Sequence, residues 1–359
     1  MKRRLLKRAI LLIGLSVMFA PLARSVGALG GEADTSVDPA VAVTAADVAR
    51  QLRDGTVDVT GNGVCDETDA LAQLMGVTGA IADLSALPSI LEDSLLGEKY
   101  LEKFSYTGIV SERGYYRSES ISYTLTHVED TKLSYYVADI YLRDIQHFRT
   151  GFPQSGYNHI QSVKKMAKYY NAIVAVNGDY YSAQDPVGIV ARNGVFYHEN
   201  TASRRDVCAL FSDGTMKVYG AKEVDVDELY DAEALHVWQF GPALLNDDGT
   251  AKSGSKSFNS SLYGVNPRTV LGYYEPGHYC FVTVEGRGKE GSKGLNLSQL
   301  SELMASLGCA QAYNLDGGGS SVMADAEGVL NTPSSNRSCS DILYIVEDYA
   351  SVPDAGDED

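Results

Sequence analysis

The stretch Asn314-Leu315-Asp316-Gly317-Gly318-Gly319-Ser320-Ser321 follows an apolar, strand-like run and presents a carboxylate, three glycines and two hydroxyls. Glycine can adopt a positive φ and lets the backbone approach a ligand closely. Successive N–H groups in such a loop can converge on an anion. The pattern therefore predicts a strand that carries Asp316 to an anion-binding loop. A tight turn capped by Asp316 is the structural alternative.

Two helix–strand units are predicted from the spacing of apolar residues. Residues 297–307 form an amphipathic helix in this prediction, with Ser298 as a possible N-cap, and lead into the strand that ends at Asp316. Residues 160–170 predict a second amphipathic helix, which leads into the apolar strand 173–176.

Strand signals dominate the rest of the long region. The predicted strands and hairpins are 118–123, 133–142, 188–197, 208–219, and the pair 270–274 and 279–285. Strand pairs mixed with two helix–strand units predict an α+β fold, with mixed sheets and a few helices in a single catalytic domain.

The N-terminus has the features of a secretory signal. Five basic residues among the first eight precede an apolar run from Ala9 to Ala20, and small residues follow. The run is too short to span a bilayer comfortably, and no later segment is apolar enough to do so. We expect a secreted or cell-surface protein with a signal peptide at 1–28, and an uncleaved membrane anchor is the alternative.

The composition limits the classes of partner. Hydrophobic residues make up 44% and charged residues 21% of the 359, as in ordinary globular proteins. The formal net charge is −17, and loss of the six positive charges in residues 1–28 leaves about −23. This field disfavours nucleic-acid and anionic membrane partners. Five cysteines are too few for a disulfide scaffold, and the odd number leaves at least one free.

Residues 58–69 have the spacing of an EF-hand-type calcium loop. Oxygen-bearing side chains stand at loop positions 1, 3, 5, 9 and 12, and Gly63 stands at the sharp turn of position 6. The predicted metal ligands are Asp58, Thr60, Asn62, Val64 through its carbonyl, Asp66 and Asp69. An Asp/Gly-rich linker turn is the alternative.

This loop resembles one of the two calcium-binding repeats of a dockerin, the docking module of secreted bacterial enzyme assemblies. Position 12 is Asp69 rather than Glu, and only one such loop is found. The resemblance implies a small helical module with a structural Ca²⁺ and raises a cohesin-like partner or cell-surface scaffold. The predicted divisions are a signal peptide (1–28), a dockerin-like module (43–78), a linker (79–98), the catalytic domain (99–348) and an acidic tail (349–359).

Four more clusters accompany the glycine loop. They are Asn177-Gly178-Asp179-Tyr180-Tyr181 after an apolar strand, Phe240-Gly241-Pro242-Ala243-Leu244-Leu245 as an apolar turn and strand, Asn266-Pro267-Arg268-Thr269 at a strand start, and Glu285-Gly286-Arg287 at a strand end. In this order the five motifs resemble the phosphodiester glycosidase family, which includes N-acetylglucosamine-1-phosphodiester α-N-acetylglucosaminidase. The resemblance covers about residues 160–346, and Glu285 stands where the family often has Asp.

The resemblance implies hydrolysis of a sugar-1-phosphodiester at the sugar side, which leaves a phosphomonoester. The substrate would be a glycosyl phosphodiester of an extracellular glycan or wall polymer, such as an N-acetylglucosamine-1-phosphodiester unit. No cofactor is expected for catalysis.

The residue types fit this chemistry independently. Guanidinium forks bind phosphate, and an oxocarbenium-like transition state needs a nearby negative charge or nucleophile. The expected catalytic residues are Asp316, Glu285 and Asp179. The expected substrate-binding residues are Asn177, Tyr180, Arg268, Arg287, Gly317, Gly318, Gly319, Ser320 and Ser321.

Each assignment has a structural alternative. Arg268 and Asp316 could form an ion pair, and Asp179 could cap a turn. Glu285 and Arg287 alternate along a strand, so both could lie on a solvated face. Two other functions also fit the motifs: a non-catalytic surface protein that binds anionic glycans, and a metal-dependent phosphodiesterase that cuts at phosphorus.

Overall fold

The computed structural model describes residues 58–64, 66–180, 188–201, 203–220, 222–258, 262–335 and 337–351. The predicted signal peptide, the start of the predicted module (43–57) and the tail beyond 351 lie outside these ranges. The described residues form three β-sheets with a few short helices. This architecture confirms the predicted α+β class.

The strands are, in chain order, β1 (Val110–Glu112), β2 (Tyr115–Arg117), β3 (Ile121–Glu129), β4 (Ser134–Leu142), β5 (Phe148–Gly151), β6 (Val174–Asn177), β7 (Ile189–Arg192), β8 (Val195–Glu199), β9 (Val207–Phe211), β10 (Met216–Tyr219), β11 (Ala234–Trp238), β12 (Arg268–Glu275), β13 (His278–Val284), β14 (Gln311–Asn314), β15 (Met323–Ala324) and β16 (Ile342–Ile345).

The α-helices are α1 (Glu67–Val77), α2 (Leu87–Glu92), α3 (Val163–Tyr169), α4 (Val226–Asp231) and α5 (Leu297–Ser306). Single 3₁₀ turns lie at Leu84–Ala86, Leu101–Lys103, Ile145–His147, Ser255–Ser257, Lys289–Gly291, Gly318–Ser320 and Tyr349–Ser351. Among the described residues, no helix combines the length and apolar character that crossing a membrane requires.

The three sheets are antiparallel in every named strand pair. Their strand orders are β1-β2-β3-β4-β13-β12-β14, β10-β9-β11-β7-β8 and β15-β6-β16-β5. The hairpins predicted at 188–197 and 208–219 correspond to β7–β8 and β9–β10.

The register of the seven-stranded sheet places its polar ends together. Arg268, the first residue of β12, pairs with Val284 at the end of β13, and Val270 pairs with Asn314 at the end of β14. Because both neighbours run antiparallel to β12, the residues that follow β13 and β14 emerge beside the start of β12.

Helix α5 covers one face of this sheet through an apolar stripe. Leu297, Leu300 and Met304 are fully buried and pack in a cluster that includes strand residues of β12 and β13. The N-cap is Asn296, whose side chain accepts from the Gln299 N–H at 2.9 Å in a capping box. The predicted cap Ser298 lies inside the first turn, where its hydroxyl accepts instead from the Gly254 N–H.

Residues 79–98, predicted as a linker, are packed rather than free. They include α2, and their side chains Leu87, Leu91 and Leu96 are buried in one cluster with Tyr141 of β4. The Leu95 N–H also donates to the Arg143 carbonyl at 2.8 Å. The apolar residues of this segment explain its packing, because burying each large apolar side chain stabilises the fold by roughly 1.5–3 kcal/mol.

Candidate active site

The motifs that follow β6 and β14 are joined directly, although they belong to different sheets. The Asn177 amide donates from Nδ2 to the Asp316 carbonyl at 2.7 Å, and the Asp316 N–H donates to the Gly178 carbonyl at 3.1 Å. Asn177 Oδ1 accepts from the Thr269 hydroxyl at 2.8 Å. Three of the sequence motifs therefore converge at one place, as expected.

Asn177 itself is wholly enclosed. Its side chain is 0% exposed, and both of its polar atoms are engaged by other parts of the protein. This geometry gives Asn177 a positioning role, because it holds the Asp316 backbone. Its direct contact with a sugar stays a prediction.

Close packing and backbone conformation favour glycine at the three positions of the loop. A Cβ on Gly317 would lie 2.8 Å from the Pro267 carbonyl oxygen, and a Cβ on Gly319 would lie 2.2 Å from Ser335 Oγ. Gly318 adopts a positive φ of 66°. The loop is therefore pressed between the Asn266–Thr269 motif and the segment near Ser335, where side chains would not fit.

Most N–H groups of this loop donate to acceptors within the protein. Four of its five N–H groups already have protein acceptors: those of Gly317, Gly318, Ser320 and Ser321 donate to the Asp316 carboxylate and to the Pro267, Gly317 and Gly318 carbonyls. The loop folds back on itself and forms a 3₁₀ turn at Gly318–Ser320. These N–H groups are therefore engaged within the protein, and anion binding by the loop backbone stays a prediction.

The Asp316 carboxylate forms an ion pair with Arg337, which the sequence analysis did not single out. Arg337 Nη2 lies 2.7 Å from Asp316 Oδ2, and Arg337 Nε donates to the Ser320 hydroxyl at 2.7 Å. The Arg337 side chain is 50% exposed and that of Asp316 is 11% exposed. The Arg268–Asp316 ion pair considered as an alternative was wrong.

Arg287 brings a second guanidinium to the same loop. The residue is exposed, and a Cβ on Gly318 would lie 2.8 Å from Arg287 Nη2. Arg287 Nη2 also donates to Asn266 Oδ1 at 3.3 Å. Two exposed cations, Arg287 and Arg337, therefore touch the loop that carries Asp316.

Arg268 differs from these two arginines because it is buried. Its guanidinium donates to the carbonyls of Leu295 at 3.0 Å, Leu262 at 2.8 Å, and Gly264. Burial lowers the pKa of Arg268 to about 10. These contacts make Arg268 a brace for the surrounding loops, and its predicted phosphate contact stays a prediction.

Glu285, the second predicted catalytic carboxyl, is buried next to residues that contact the glycine loop. It is 1% exposed, and its Oε1 accepts from Asn331 Nδ2 at 2.8 Å and from the Thr332 N–H at 2.9 Å. Asn331 Nδ2 also donates to the Ser321 carbonyl at 3.1 Å, which links Glu285 to the glycine loop. The solvated-face alternative is wrong for Glu285, whereas Arg287 is exposed.

Burial raises the pKa of the Glu285 carboxyl, and its hydrogen bonds from Thr332 and Asn331 oppose the shift. A carboxyl in such surroundings suits proton transfer better than a solvated one does.

Asp179 lies in a buried ion cluster. Its Oδ1 lies 2.7 Å from Arg192 Nη2, its Oδ2 accepts from the Gln239 N–H at 3.1 Å, and Arg192 Nε lies 2.6 Å from Asp341 Oδ2. Burial raises the pKa of Asp179, and the Arg192 charge opposes this shift. Asp179 is therefore not the turn cap considered as an alternative, since its partners come from distant strands.

The other predicted contacts differ in exposure. Tyr180 is 46% exposed, Ser320 is fully buried beneath Arg337, and Ser321 Oγ is buried without a hydrogen-bond partner in the described structure. Tyr181 lies outside the described residues. Substrate binding by these residues stays a prediction.

The predicted calcium loop is held by its own hydrogen bonds. Asp58 accepts from the N–H groups of Gly61 and Gly63, and Asp69 accepts from Val59, Thr60 and Asp66. Asp66 also caps α1, with the Asp69 side chain completing a capping box. Among the described residues no group of three or more His, Cys, Asp or Glu side chains is arranged to hold a metal ion. Calcium binding stays a prediction.

Comparison with known proteins supports the resemblance carried by the motifs. Residues 170–346 match the family model described as phosphodiester glycosidase. An uncharacterized SPbeta prophage-derived protein, YomE of Bacillus subtilis (strain 168), is 34% identical over 173 residues. That match covers 47% of this chain and 27% of the relative, so the chain matches about a quarter of the relative's length.

Solved structures with a similar fold include two proteins of low identity. The catalytic domain of zebrafish N-acetylglucosamine-1-phosphodiester α-N-acetylglucosaminidase, auto-inhibited by its pro-peptide, matches with a TM-score of 0.53 and 19% identity, covering 67% of this chain and 87% of that chain. A hypothetical protein from Synechocystis matches with a TM-score of 0.50 and 13% identity, covering 64% and 62%. At these identities the likeness shows a shared fold.

Proposed function

We propose that this chain is a hydrolase that cleaves the glycosidic bond of sugar-1-phosphodiesters. The observation that carries the proposal is the pairing of one carboxylate, Asp316, with two exposed guanidinium groups on the same glycine loop. The order of the five motifs and the match to the phosphodiester glycosidase family support the same substrate class.

The phosphate would be bound by Arg287 and Arg337. The net charge of −17 repels an anionic substrate, so local cations are needed to bind it. Guanidinium groups match the geometry of phosphate oxygens and form charge-assisted hydrogen bonds with them. Arg337 now donates to Asp316, the Ser320 hydroxyl and the Gly317 carbonyl, and phosphate oxygens can replace these acceptors.

In this scheme Asp316 is the carboxylate that faces the sugar. The C1–O bond breaks, the phosphomonoester leaves with the bridging oxygen, and the oxygen of water becomes bonded to C1. Positive charge develops at C1 as the bond breaks, and a nearby carboxylate stabilises it or attacks C1. Glu285, with its raised pKa, is the second carboxyl and suits a proton carrier.

Asp179 takes a positioning role in the same scheme. Its carboxylate is saturated by Arg192 and the Gln239 N–H, and it is 3% exposed. The residue next to it, Gly178, provides the carbonyl that holds the Asp316 N–H. Asp179 therefore acts on the reaction through the backbone that carries Asp316.

The decisive experiment is a screen of purified protein against sugar-1-phosphodiesters, including wall-polymer fragments. The Asp316→Asn variant serves as the inactive control. Asp213→Asn is the matched control, because Asp213 is an exposed turn residue hydrogen-bonded to Thr215. The proposal requires release of free sugar and a phosphomonoester by the wild-type and Asp213→Asn proteins, and not by Asp316→Asn.

Hydrolysis in ¹⁸O-labelled water distinguishes the two enzymatic alternatives. Label in the sugar indicates C1–O cleavage, whereas label in the phosphate indicates attack at phosphorus and rejects the proposal. If the wild-type protein and both variants bind the substrate but none of them hydrolyses it, a glycan-binding surface protein is favoured instead.

We also propose that residues 58–69 bind a structural Ca²⁺ and that the chain is exported. The predicted ligand positions offer oxygen donors, which suit Ca²⁺, and Gly61 and Gly63 adopt positive φ values of 80° and 82°. Isothermal calorimetry with Ca²⁺ should show binding that Asp58→Asn weakens and that Asp83→Asn, in the exposed cap of a nearby turn, leaves intact. Fractionation of the source cells tests export, and a cohesin-like partner stays a prediction.

A further inference from the structure

Two buried thiols face each other beside the strands that carry the candidate carboxyls. Cys280 lies in β13, Cys309 lies between α5 and β14, and their Sγ atoms are 3.8 Å apart. The two residues are 0% and 3% exposed. Cys208 and Cys339 are also buried thiols, and no sulfur contact between either of them and another described cysteine is observed.

The strand between the two thiols is shaped to leave room for them. Gly272 of β12 pairs with Cys280 on one side and with Ala312 of β14 on the other. A Cβ on Gly272 would lie 2.5 Å from Cys280 Sγ and 2.9 Å from Cys309 Sγ. The φ of Gly272 is not positive, so the glycine is explained by the space that the two sulfurs occupy rather than by its backbone conformation.

We propose that Cys280 and Cys309 form a disulfide bond that crosses β12 at Gly272. A disulfide bond is about 2.0 Å long, so the sulfurs, now 3.8 Å apart, must close by roughly 1.8 Å for the bond to form. The two thiols lose two protons and two electrons, and a disulfide donor such as oxidised glutathione accepts them and is reduced to two thiols. Export, if it occurs as predicted, would bring the thiols to an oxidising compartment.

The bond would act on the region of the candidate active site. It would close a loop between positions 29 residues apart, and this loop contains Glu285, Arg287 and all of α5. It would also tie β13, which ends before Glu285, to the chain that enters β14 and ends before Asp316. Because the sulfurs are buried, the bond would form during folding or local opening rather than in the closed protein.

The chemistry of the two thiols supports formation of this bond. The hydrogen bond from Cys280 lowers the pKa of the Cys309 thiol, and the pKa of Cys280 is raised. In its thiolate form either sulfur can attack a mixed disulfide or an external disulfide donor.

The test is refolding of the full chain in a buffer of oxidised and reduced glutathione, followed by alkylation under denaturing conditions and peptide mapping by mass spectrometry. We expect a cross-linked peptide that contains Cys280 and Cys309, and alkylation of Cys208 and Cys339. Recovery of Cys280 and Cys309 as alkylated thiols, or cross-linking of either to another cysteine, would overturn the proposal. This readout requires no variant and does not depend on the proposed activity.

Thermal unfolding gives an independent measurement. Reduction of the oxidised protein should lower Tm by about 5 °C or more, as expected for loss of a disulfide that closes a loop of this length. Cys309→Ser should unfold at the same temperature with and without reductant, whereas Cys208→Ser should retain the difference. An equal Tm for the oxidised and reduced wild-type protein would contradict a stabilising bond.

Discussion

Two aspartate–arginine ion pairs have the same N–O distance but different exposure to water. They are linked through the hydrogen bond from the Asp316 N–H to the carbonyl of Gly178, the neighbour of Asp179. Asp179 and Arg192 are 2.7 Å apart and have side chains that are 3% and 1% exposed. Asp316 and Arg337 are also 2.7 Å apart, but their side chains are 11% and 50% exposed. The distances are the same, and the difference is the access of water to the arginine.

The surroundings determine what each pair can do. A buried pair is maintained because removal of one partner leaves an uncompensated charge, at a cost of about 3–5 kcal/mol. Pairs in contact with water contribute about 0–1 kcal/mol, so the half-exposed Arg337 can exchange partners at lower cost than the buried Arg192. We infer that the Asp179–Arg192 pair organises the structure, and that the Asp316–Arg337 pair is where a ligand can replace a protein contact.

The largest expected effect is on the buried pair. Arg192→Met should lower the free energy of unfolding by about 5 kcal/mol, because two buried carboxylates, Asp179 and Asp341, lose their cation. Chemical denaturation measures this change. Arg337→Met is the matched control, and we expect it to change the unfolding free energy by less than about 1 kcal/mol. Equal losses of stability for the two variants would remove the distinction between the pairs.

The next largest effect is catalytic. Asp316→Asn should lower kcat/KM by about 10³-fold, because the positive charge that develops at C1 loses its carboxylate, while Tm stays close to that of the wild-type protein. Asp179→Asn should instead lower Tm, because it disturbs the buried cluster, and its folded fraction should lose less activity than Asp316→Asn because Asp179 acts only through the backbone that carries Asp316. Full folding of Asp179→Asn together with the activity loss of Asp316→Asn would assign Asp179 to the chemistry.

The sequence predicts where the strands of this fold lie along the chain better than it predicts which strands pair with each other. Apolar, β-branched and tyrosine-rich runs identified most strands and the two hairpins, because each depends on local composition and turn residues. The same patterns do not specify which sheet a strand joins. Residues 79–98 were predicted as a linker, and the packing of their leucines in a cluster with Tyr141 of β4 depends on distant contacts that the local sequence does not specify.

The same holds for the candidate site: residues in a local motif were identified, whereas residues that depend on a partner elsewhere in the sequence were missed. Asp316 and Glu285 were identified because each follows an apolar strand and precedes glycine. Arg192 and Arg337 were missed because their partners are not adjacent in the sequence. Asp179 and Asp341 lie 13 and 149 positions from Arg192, and Asp316 lies 21 positions from Arg337. A signal was present for Arg337 and Asp341, since both stand in a polar run directly before the apolar strand β16.

A smaller effect is expected from the neutral histidine beside the buried pair. His236 is fully buried, and burial lowers its pKa from 6.5 to about 3, with the Arg192 charge adding to the shift. The unfolded chain therefore binds a proton that the folded protein does not between about pH 6.5 and 3. Stability must fall as the pH is lowered through this window, by about 2 kcal/mol between pH 7 and pH 5.

Denaturant titrations at pH 7 and pH 5 measure this dependence. His236→Asn should reduce the pH dependence by about the same amount, even if it lowers stability at both pH values. His159, an exposed histidine, provides the control variant. If stability depends on pH in His236→Asn as it does in the wild-type protein, His236 does not cause the dependence. The surroundings of the buried pair would then tolerate a protonated His236 beside Arg192.

The smallest expected effect is at the exposed arginine, and it tests partner exchange directly. Arg337→Ala should raise KM for a sugar-1-phosphodiester by about tenfold with a modest change in kcat, because a charge-assisted hydrogen bond to phosphate contributes about 1.5–3 kcal/mol in favourable cases. Arg337→Lys should restore part of the affinity, since it keeps the charge but loses the planar fork.

A comparison of substrates with different leaving groups distinguishes two roles of Arg337: binding phosphate and holding Asp316 in place. If Arg337 binds phosphate, its loss should affect a sugar-1-phosphodiester more than an uncharged aryl glycoside of the same sugar. If Arg337 only holds Asp316 in place, both substrates should lose kcat equally, as they would with any misplaced carboxylate. The second outcome would make the exposed pair structural, like the buried one, and would leave Arg287 as the cation for the substrate.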